Sequence, residues 1–177
     1  VHVDTPVKVN ENISSLVVGN GTTDGETQYS NGSFVASQIK VGKYFRQMTE
    51  GNIVVMGRKT LESFPQGRPL ANRVNIVISH NPDYQVKDAI VVHSVEEAMQ
   101  ECKKHKGEVF VIGGESIYRA MLPYCNIAYV TRTDHVYEAD TWFPDLEKDP
   151  DWQKTAETDE QTYFDLEYVF AKYERIK

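Results

Sequence analysis

The chain has 177 residues, of which 40% are hydrophobic and 25% are charged, and its formal net charge is −7. This length and composition are typical of a single globular domain that buries a sizeable core. The acidic balance argues against a general nucleic-acid binder, because that function needs a broad basic surface.

The cysteines and histidines argue against a disulfide-stabilised protein and against a metal site. The two cysteines, Cys102 and Cys125, belong to no CxxC pair and cannot build a disulfide framework, so we expect free thiols. The five histidines show no metal-ligand spacing with cysteines or carboxylates, and we expect no metal. No stretch has the pattern of a signal peptide or a transmembrane helix, so we expect a cytoplasmic protein with no membrane partner.

The N-terminal third is the least regular part of the sequence. In residues 1–12, apolar and polar residues alternate weakly, which is compatible with an edge strand or a disordered arm. Residues 13–18 (ISSLVV) are predicted to form a first core strand. Residues 19–33 form a long polar loop, which is usually functional or disordered. Apolar residues at helical spacing predict a helix over 34–49, with Gly51 as its stop.

A strand, a glycine turn and a basic helix start follow one another in the centre of the chain. Ile53–Met56 is a continuous apolar run, as expected of a strand buried on both faces of a parallel sheet. Gly57 ends it, and the sequence RKT at 58–60 follows where a helix should begin. Two cations, a hydroxyl and free backbone N–H groups are typical of a phosphate site. An exposed basic turn without a ligand is the alternative.

Strands and helices alternate through the rest of the chain. A capping box that opens at Ser94 predicts a helix extending to about Lys104. This alternation predicts an α/β sheet in which the late strands are antiparallel at one edge. The other predicted elements are strands over 89–92, 108–112, 128–133 and 164–173 and a short helix over 115–122.

A second glycine break, Gly113-Gly114, follows the predicted strand that ends at Ile112. Ligands of such sheets bind outside the carboxyl ends of the strands. A Gly-Gly pair lets the backbone approach a ligand closely, and a helix start follows it at Glu115. The pair does not form the GxGxxG fingerprint, so a tight turn with no ligand explains it equally well.

Together, four motifs resemble the dihydrofolate reductase family: VVMGRKTLESFP, RPLANRVNIVIS, VFVIGGESIYRAMLPYCNIAYVTR and EADTWFPDL. The resemblance covers about residues 43–177, in the family's order and spacing. It implies one domain over 1–177 with an atypical segment at 1–42. The implied fold is a mostly parallel sheet of about eight strands flanked by helices, with an antiparallel C-terminal edge hairpin. The implied activity is NADPH-dependent reduction of 7,8-dihydrofolate to tetrahydrofolate, a step of one-carbon metabolism and a target of antifolates, by a monomer.

The resemblance also implies which residues bind the cofactor NADPH. The basic helix start would hold the cofactor phosphates, and the end of the RPLANRVNIVIS strand would meet the 2′-phosphate of the adenosine. The Gly-Gly turn would lie beside the pyrophosphate and the nicotinamide. The residues implied in these roles are Gly57, Arg58, Lys59, Thr60, Ser79, His80, Ile112, Gly113, Gly114, Glu115, Ser116, Ile117 and Tyr118.

On the folate side, the resemblance assigns Arg73 to the α-carboxylate of the glutamate tail, a task that suits its planar fork. Phe45 and Phe64 would sandwich the pteridine and benzoyl rings, and Leu70 would line the tail. Without the family context, these apolar residues would be ascribed to ordinary core packing and Arg73 to the surface. Ile112 and Thr131 would supply the pocket wall and the hydroxyl that orients the catalytic acid. Asp140 and Thr141 would begin a loop that contacts the mobile substrate loop.

The catalytic acid of the family has no counterpart in the sequence. The family's Asp or Glu lies four residues before the helix phenylalanine, and that position is Val41 here. No Asp or Glu occurs between Asn31 and Thr49. A positioned acid contributes roughly 10²–10⁴ in rate, so the resemblance predicts impaired catalysis.

Three interpretations of this departure remain open. The chain is a damaged or engineered reductase, or it recruits another acid, for which Asp24 and Glu26 are the nearby candidates. In the third interpretation it is a catalytically inactive protein of the same fold that binds NADPH, a folate-like ligand or both.

Overall fold

The computed structural model of the protein describes residues 5–9, 16–18, 45–133, 146–158, 161–163 and 166–176. In these ranges the strands form two hydrogen-bonded sheets, one parallel and one antiparallel. The strands are β1 (Thr5–Val9), β2 (Leu16–Val18), β3 (Ile53–Gly57), β4 (Val74–Ile78), β5 (Ile90–Val92), β6 (Val109–Val111), β7 (Cys125–Thr133), β8 (Trp152–Glu157), β9 (Gln161–Tyr163) and β10 (Leu166–Arg175).

The parallel sheet has the order β5-β4-β3-β6, so β3 lies in its interior. Successive side chains of β3 point to opposite faces, where they join two separate hydrophobic clusters. Ile53 and Val55 belong to one cluster, and Val54 and Met56 belong to the other. All four are completely buried, which stabilises the fold by roughly 1.5–3 kcal/mol for each side chain. Burial on both faces therefore explains the continuous apolar run and confirms that prediction.

The antiparallel sheet has the order β2-β1-β7-β10-β8, and β9 pairs with the outer part of β10. The late strands are antiparallel, as predicted, and β10 lies between β7 and β8. The α/β class is confirmed. The strands of the described ranges are divided between two sheets, because β6 carries no ladder to the antiparallel strands there.

Helices flank the parallel sheet and begin where the sequence predicts. Ser94 caps α2 by accepting a hydrogen bond from the Glu97 N–H (3.1 Å), and the Glu97 carboxylate accepts one from the His93 N–H (2.8 Å). Phe64, which follows α1, is extended because Pro65 comes next. The helices are α1 (Arg58–Ser63), α2 (Val95–Cys102) and α3 (Glu115–Met121), with 3₁₀ turns at Pro65–Gly67 and Leu122–Tyr124.

The N-terminal predictions are met in part. β1 falls within residues 1–12 but pairs with both β2 and β7, so it is an interior strand and not an edge strand. Its alternating valines indicate a strand but cannot indicate how many neighbours it has. β2 falls within the predicted strand at 13–18. Residues 45–49 are helical, and Gly51 follows at φ +81°, a left-handed conformation that favours glycine. The loop at 19–33 lies outside the described residues.

Neither β8 nor β9 was predicted from the sequence. In β8 only Trp152 is buried and the other five residues are exposed, so the strand has no hydrophobic periodicity to detect. In the described ranges, no helix has the length and hydropathy needed to cross a bilayer.

Candidate active site

The two glycine turns predicted from the sequence meet at the carboxyl ends of β3 and β6. The Gly57 N–H donates a hydrogen bond to the Gly113 carbonyl (2.8 Å), and the Ile112 N–H donates one to the Val55 carbonyl (2.8 Å). These bonds extend the β3–β6 pairing past the end of the ladder. A Cβ atom on Gly57 would lie 3.2 Å from Cγ1 of Ile117, closer than packed side chains usually allow. A larger residue at position 57 would therefore require the Ile117 side chain to shift by a few tenths of an ångström.

Gly113 needs to be glycine for both space and conformation. Its φ is +127°, which side chains rarely adopt, and the peptide bond to Gly114 is cis. A Cβ atom at this position would lie 3.2 Å from the hydroxyl oxygen of Tyr118 and 3.3 Å from Oγ1 of Thr60. Both of these side chains are buried, 3% and 6% exposed. The Gly-Gly turn thus packs directly against the start of α1.

A cleft of about 640 Å³ opens in front of the two turns, at the carboxyl ends of the parallel strands. Ligands of open α/β sheets bind at this edge. Most of the residues predicted to contact the cofactor line it together, although the sequence places them up to about sixty positions apart. The lining residues are Gly57, Arg58, Lys59, Thr60, Ile78, Ser79, His80, Asn81, Gly114, Glu115, Ser116 and Ile117.

The charges in this cleft differ in how they are compensated. Arg58 pairs with Glu62 one helical turn on (Nη1 to Oε1, 3.3 Å), and Glu115 pairs with Arg119 (3.0 Å). Both are exposed pairs of the kind that contribute little to stability. Lys59 is exposed and has no ion-pair partner among the described residues. An anion entering the cleft would therefore meet an uncompensated lysine.

The end of β4 forms the opposite wall of the cleft. Ser79 is buried, 4% exposed, and its hydroxyl accepts a hydrogen bond from the Asn81 N–H (3.2 Å). Its carbonyl accepts one from Nδ1 of His93 (2.8 Å), which requires the proton on that nitrogen. His80 is exposed at the rim. Neither Asn81 nor His93 was predicted; the Asn81-Pro82 turn signal could have indicated the first.

The apolar residues predicted to contact the substrate lie together on the face of the parallel sheet that carries the side chains of Val54 and Met56. Phe45, Phe64 and Leu70 are half-buried at the margin of the cluster that contains Val54 and Met56, and Ile112 lies inside it, 5% exposed. The cluster thus presents a partly exposed aromatic and aliphatic surface next to the Gly-Gly turn, which follows Ile112. Apolar walls with a few polar groups are typical of small-molecule pockets.

Arg73 is half-buried beside this surface. Its guanidinium carbon lies 5.9 Å from the centre of the Phe45 ring, and its Nε donates a hydrogen bond to the Ala71 carbonyl (3.1 Å). Burial lowers the pKa of Arg73, and Glu50 opposes that effect. An arginine stays charged under such a shift. No carboxylate of the described residues forms an ion pair with it, so its terminal nitrogens are available to an acidic ligand.

Several predicted residues cannot be placed in the site. Thr131 lies in β7, opposite Phe170 of β10, and only its backbone is described. Tyr118 is buried behind the Gly-Gly turn rather than in the lining of the cleft. Val41, Asp24, Glu26, Asp140 and Thr141 lie outside the described residues. Among the residues described, no cluster of His, Cys, Asp and Glu could hold a metal ion.

The chain is similar to known proteins over most of its length. The sequence profile described as dihydrofolate reductase matches residues 39–175. Dihydrofolate reductase from Staphylococcus haemolyticus is 38% identical over 139 residues, which are 76% of this chain and 80% of the relative. Dihydrofolate reductase from Bacillus subtilis is 37% identical over 136 residues, 75% of this chain and 77% of that protein.

A solved structure shows the same similarity in three dimensions. Dihydrofolate reductase from Enterococcus faecalis, complexed with NADP(H) and RAB-propyl, superposes with a TM-score of 0.70 at 32% sequence identity. The superposition covers 78% of this chain and 83% of the enterococcal chain.

Proposed function

Because the chain belongs to the dihydrofolate reductase family, we propose that it reduces 7,8-dihydrofolate to tetrahydrofolate with NADPH at the carboxyl edge of its parallel sheet. The observation that carries this proposal is the cleft of about 640 Å³ in which the two glycine turns, the basic start of α1 and the end of β4 meet. It adjoins a partly exposed apolar surface that ends at Arg73. NADPH is the hydride donor. The basic cleft suits the phosphates of NADPH, and the apolar surface with Arg73 suits the rings and the carboxylate of dihydrofolate.

NADPH would occupy the cleft, where this chain offers charge and close backbone. Lys59 and Arg58 would neutralise the phosphates, with Lys59 the stronger partner because it has no competing carboxylate among the described residues. Ser79 and His80 at the end of β4 would bind the 2′-phosphate of the adenosine. The backbone of Gly113 and Gly114 would approach the pyrophosphate and the nicotinamide, with Thr60, Glu115, Ser116 and Ile117 lining the path and Tyr118 supporting it from behind.

Dihydrofolate would lie on the apolar surface, with its pteridine near the nicotinamide and its glutamate tail toward Arg73. Phe45 and Phe64 would pack against the pteridine and benzoyl rings, and Leu70 against the tail. Arg73 would bind the α-carboxylate through its terminal nitrogens, which form no ion pair with the described residues. Ile112 would separate the two ligands at the Gly-Gly turn. Thr131 would orient an acid if one is recruited.

Hydride transfer to C6 of the pterin needs a proton at N5, and this requirement supports a second candidate function. A valine at position 41 and the absence of Asp and Glu between Asn31 and Thr49 remove the usual proton donor. The second candidate is a catalytically inactive, natural or engineered, protein of this family that binds NADPH, a folate-like ligand or both.

Calorimetric titration with NADPH and with methotrexate, together with a turnover assay on dihydrofolate, separates the two candidates. The reductase is expected to bind both ligands and to turn over. Binding of both without turnover, or of NADPH alone, would favour the inactive protein. A chain that binds neither ligand would contradict both proposals.

Matched lysine variants test the placement of the cofactor. We expect Lys59→Gln to weaken NADPH binding at least about tenfold, because it removes a charged phosphate partner worth roughly 1.5–3 kcal/mol. Lys106→Gln is the control: Lys106 is also exposed but precedes β6, at the opposite edge of the parallel sheet. Equal losses in the two variants would place NADPH elsewhere.

We further propose that residues 1–177 form a single domain that acts as a monomer in the cytoplasm, with dihydrofolate and antifolates as ligands and no nucleic-acid or membrane partner. Family membership supports the ligands. Sedimentation of the protein at micromolar concentration tests the monomer: a main species with at least twice the chain mass of 20.2 kDa would contradict it.

A further inference from the structure

Asn75 is a buried polar residue in an otherwise apolar strand. It is the second residue of β4, whose sequence is VNIVI, and it is 3% exposed. Because side chains alternate along a strand, Asn75 lies on the same face as Val77, a member of the cluster that carries the predicted substrate residues. A buried amide is costly unless its hydrogen bonds are satisfied.

The Asn75 amide satisfies that requirement on one turn, residues 70–73. Its Oδ1 accepts a hydrogen bond from the Leu70 N–H (2.9 Å), and its Nδ2 donates one to the Leu70 carbonyl (2.9 Å). The same Nδ2 donates to the Arg73 carbonyl (3.1 Å). One side chain thus binds both backbone groups of Leu70, as a neighbouring strand would, and also holds the far end of the turn.

The outer side of this turn is fixed separately. The Asn72 carbonyl accepts a hydrogen bond from the Gly51 N–H (2.8 Å), and the Asn72 side chain donates one to Glu50 (3.2 Å). Gly51 and Glu50 follow the helical segment that carries Phe45. Asn72 itself has φ +60°, a conformation that Asn tolerates better than most residues. The turn would therefore keep its outer attachment if the Asn75 bonds were removed.

We propose that Asn75 is a positioning residue that sets the Leu70–Arg73 turn for the acidic tail of the folate substrate. It would act through Leu70 and Arg73, whose backbones it holds. Its loss would weaken ligands that carry a glutamate tail and spare ligands that end at the pteridine. This inference rests on the proposed function of the same site.

The test compares two ligands that differ in the tail. Methotrexate carries the benzoylglutamate, and 2,4-diaminopteridine lacks it. Calorimetry with NADPH present measures both dissociation constants for the unchanged protein and for Asn75→Leu, which keeps the branched shape of the side chain but removes all three bonds. We expect methotrexate to bind about tenfold more weakly, since the freed turn no longer holds Arg73 in place for the tail carboxylate, whose charged hydrogen bond contributes at least that factor in affinity. We expect the affinity for 2,4-diaminopteridine, which lacks the tail that meets the turn, to change by less than about twofold.

A neighbouring variant separates positioning from general loss of stability. Ile76→Val lies on the same strand, and the Ile76 side chain is buried on the opposite face, in the other hydrophobic cluster. It is expected to affect neither ligand. Equal weakening of both ligands by Asn75→Leu, or no weakening of either, would overturn the inference while leaving the proposed function intact.

A measurement on the unchanged protein tests the inference even if the Asn75→Leu variant does not fold. The Leu70 amide is expected to exchange its hydrogen more than about tenfold slower than an unbonded amide, because Asn75 accepts its proton. Exchange at the unbonded rate would overturn the inference. If the unchanged protein binds neither methotrexate nor 2,4-diaminopteridine, the proposed function fails, and the inference fails with it.

Discussion

Val41 lies four residues before Phe45, where the family resemblance requires an acid. We expect Val41→Asp to raise turnover of dihydrofolate at neutral pH at least about tenfold, because a positioned acid contributes roughly 10²–10⁴ in rate. Steady-state kcat at saturating NADPH measures the effect. Val41→Asn is the matched control, since asparagine has nearly the same shape as aspartate but carries no acidic proton. Equal rates for all three proteins would contradict a limiting role for the missing acid.

The same substitution should change the pH dependence of the rate. Without a positioned acid, N5 must gain its proton from solvent, so residual activity of the unchanged protein should rise steeply as the pH falls. Val41→Asp should rise less steeply, because the carboxyl supplies the proton over a wider range. Rate measurements from pH 8 down to pH 5.5 provide the comparison. A flat profile for the unchanged protein would contradict this account.

Both thiols are buried, and their reactivity should report folding. Burial raises the pKa of Cys102 to about 12, with Glu101 adding to the effect, and it raises the pKa of Cys125 as well. At pH 8, only about one Cys102 side chain in 10⁴ would be a thiolate. We expect iodoacetamide to modify neither cysteine in the folded protein within an hour and both within minutes in urea. Rapid labelling of the native protein would contradict the burial.

At the scale of single elements, α2 depends on its N-terminal cap. Ser94 accepts a hydrogen bond from the Glu97 N–H, so Ser94→Ala should destabilise the protein by about 1 kcal/mol. Urea unfolding measures this as a lower midpoint with an unchanged slope. Ser94→Asp retains an accepting oxygen and should remain within about 0.5 kcal/mol of the unchanged protein. An unaltered midpoint in Ser94→Ala would contradict a stabilising cap.

The elements differ in how well they could be predicted from the sequence. β3 and the Ser94 cap were predictable because burial on two faces and reciprocal capping each leave a local pattern. β8 was not, since its one buried side chain, Trp152, sets no period. Asn75 shows the intermediate case. Its polarity inside VNIVI was visible, but its partners are backbone groups of a turn whose path no propensity specifies.

At the scale of the whole molecule, the site depends on the order of the strands. The glycine turns at Gly57 and Gly113 were predictable as strand ends, and motif resemblance assigned their ligands. Their direct hydrogen bond arises because β3 and β6 are neighbours, although about fifty residues separate them in sequence. Local patterns carry no information on that pairing. The same limit applies to His93, which reaches the Ser79 carbonyl only because β4 and β5 are adjacent.

Ligand binding across adjacent strands should stabilise the whole fold. NADPH that binds only the folded chain at 100 times its dissociation constant would add about 2.7 kcal/mol of stability. For a chain of this size, that corresponds to a rise in Tm of roughly 5–11 °C. Thermal unfolding followed by circular dichroism, with and without NADPH, measures the shift.

The variants Lys59→Gln and Lys106→Gln make this thermal shift specific to the proposed cleft. If Lys59→Gln weakens NADPH tenfold, the same concentration is only about ten dissociation constants, which is worth about 1.4 kcal/mol. The shift in Tm should therefore fall to about half of the original value, whereas Lys106→Gln should retain it in full. An equal shift in both variants would mean that the stabilising phosphates are held elsewhere, because the lysine at the start of α1 would then contribute nothing to binding.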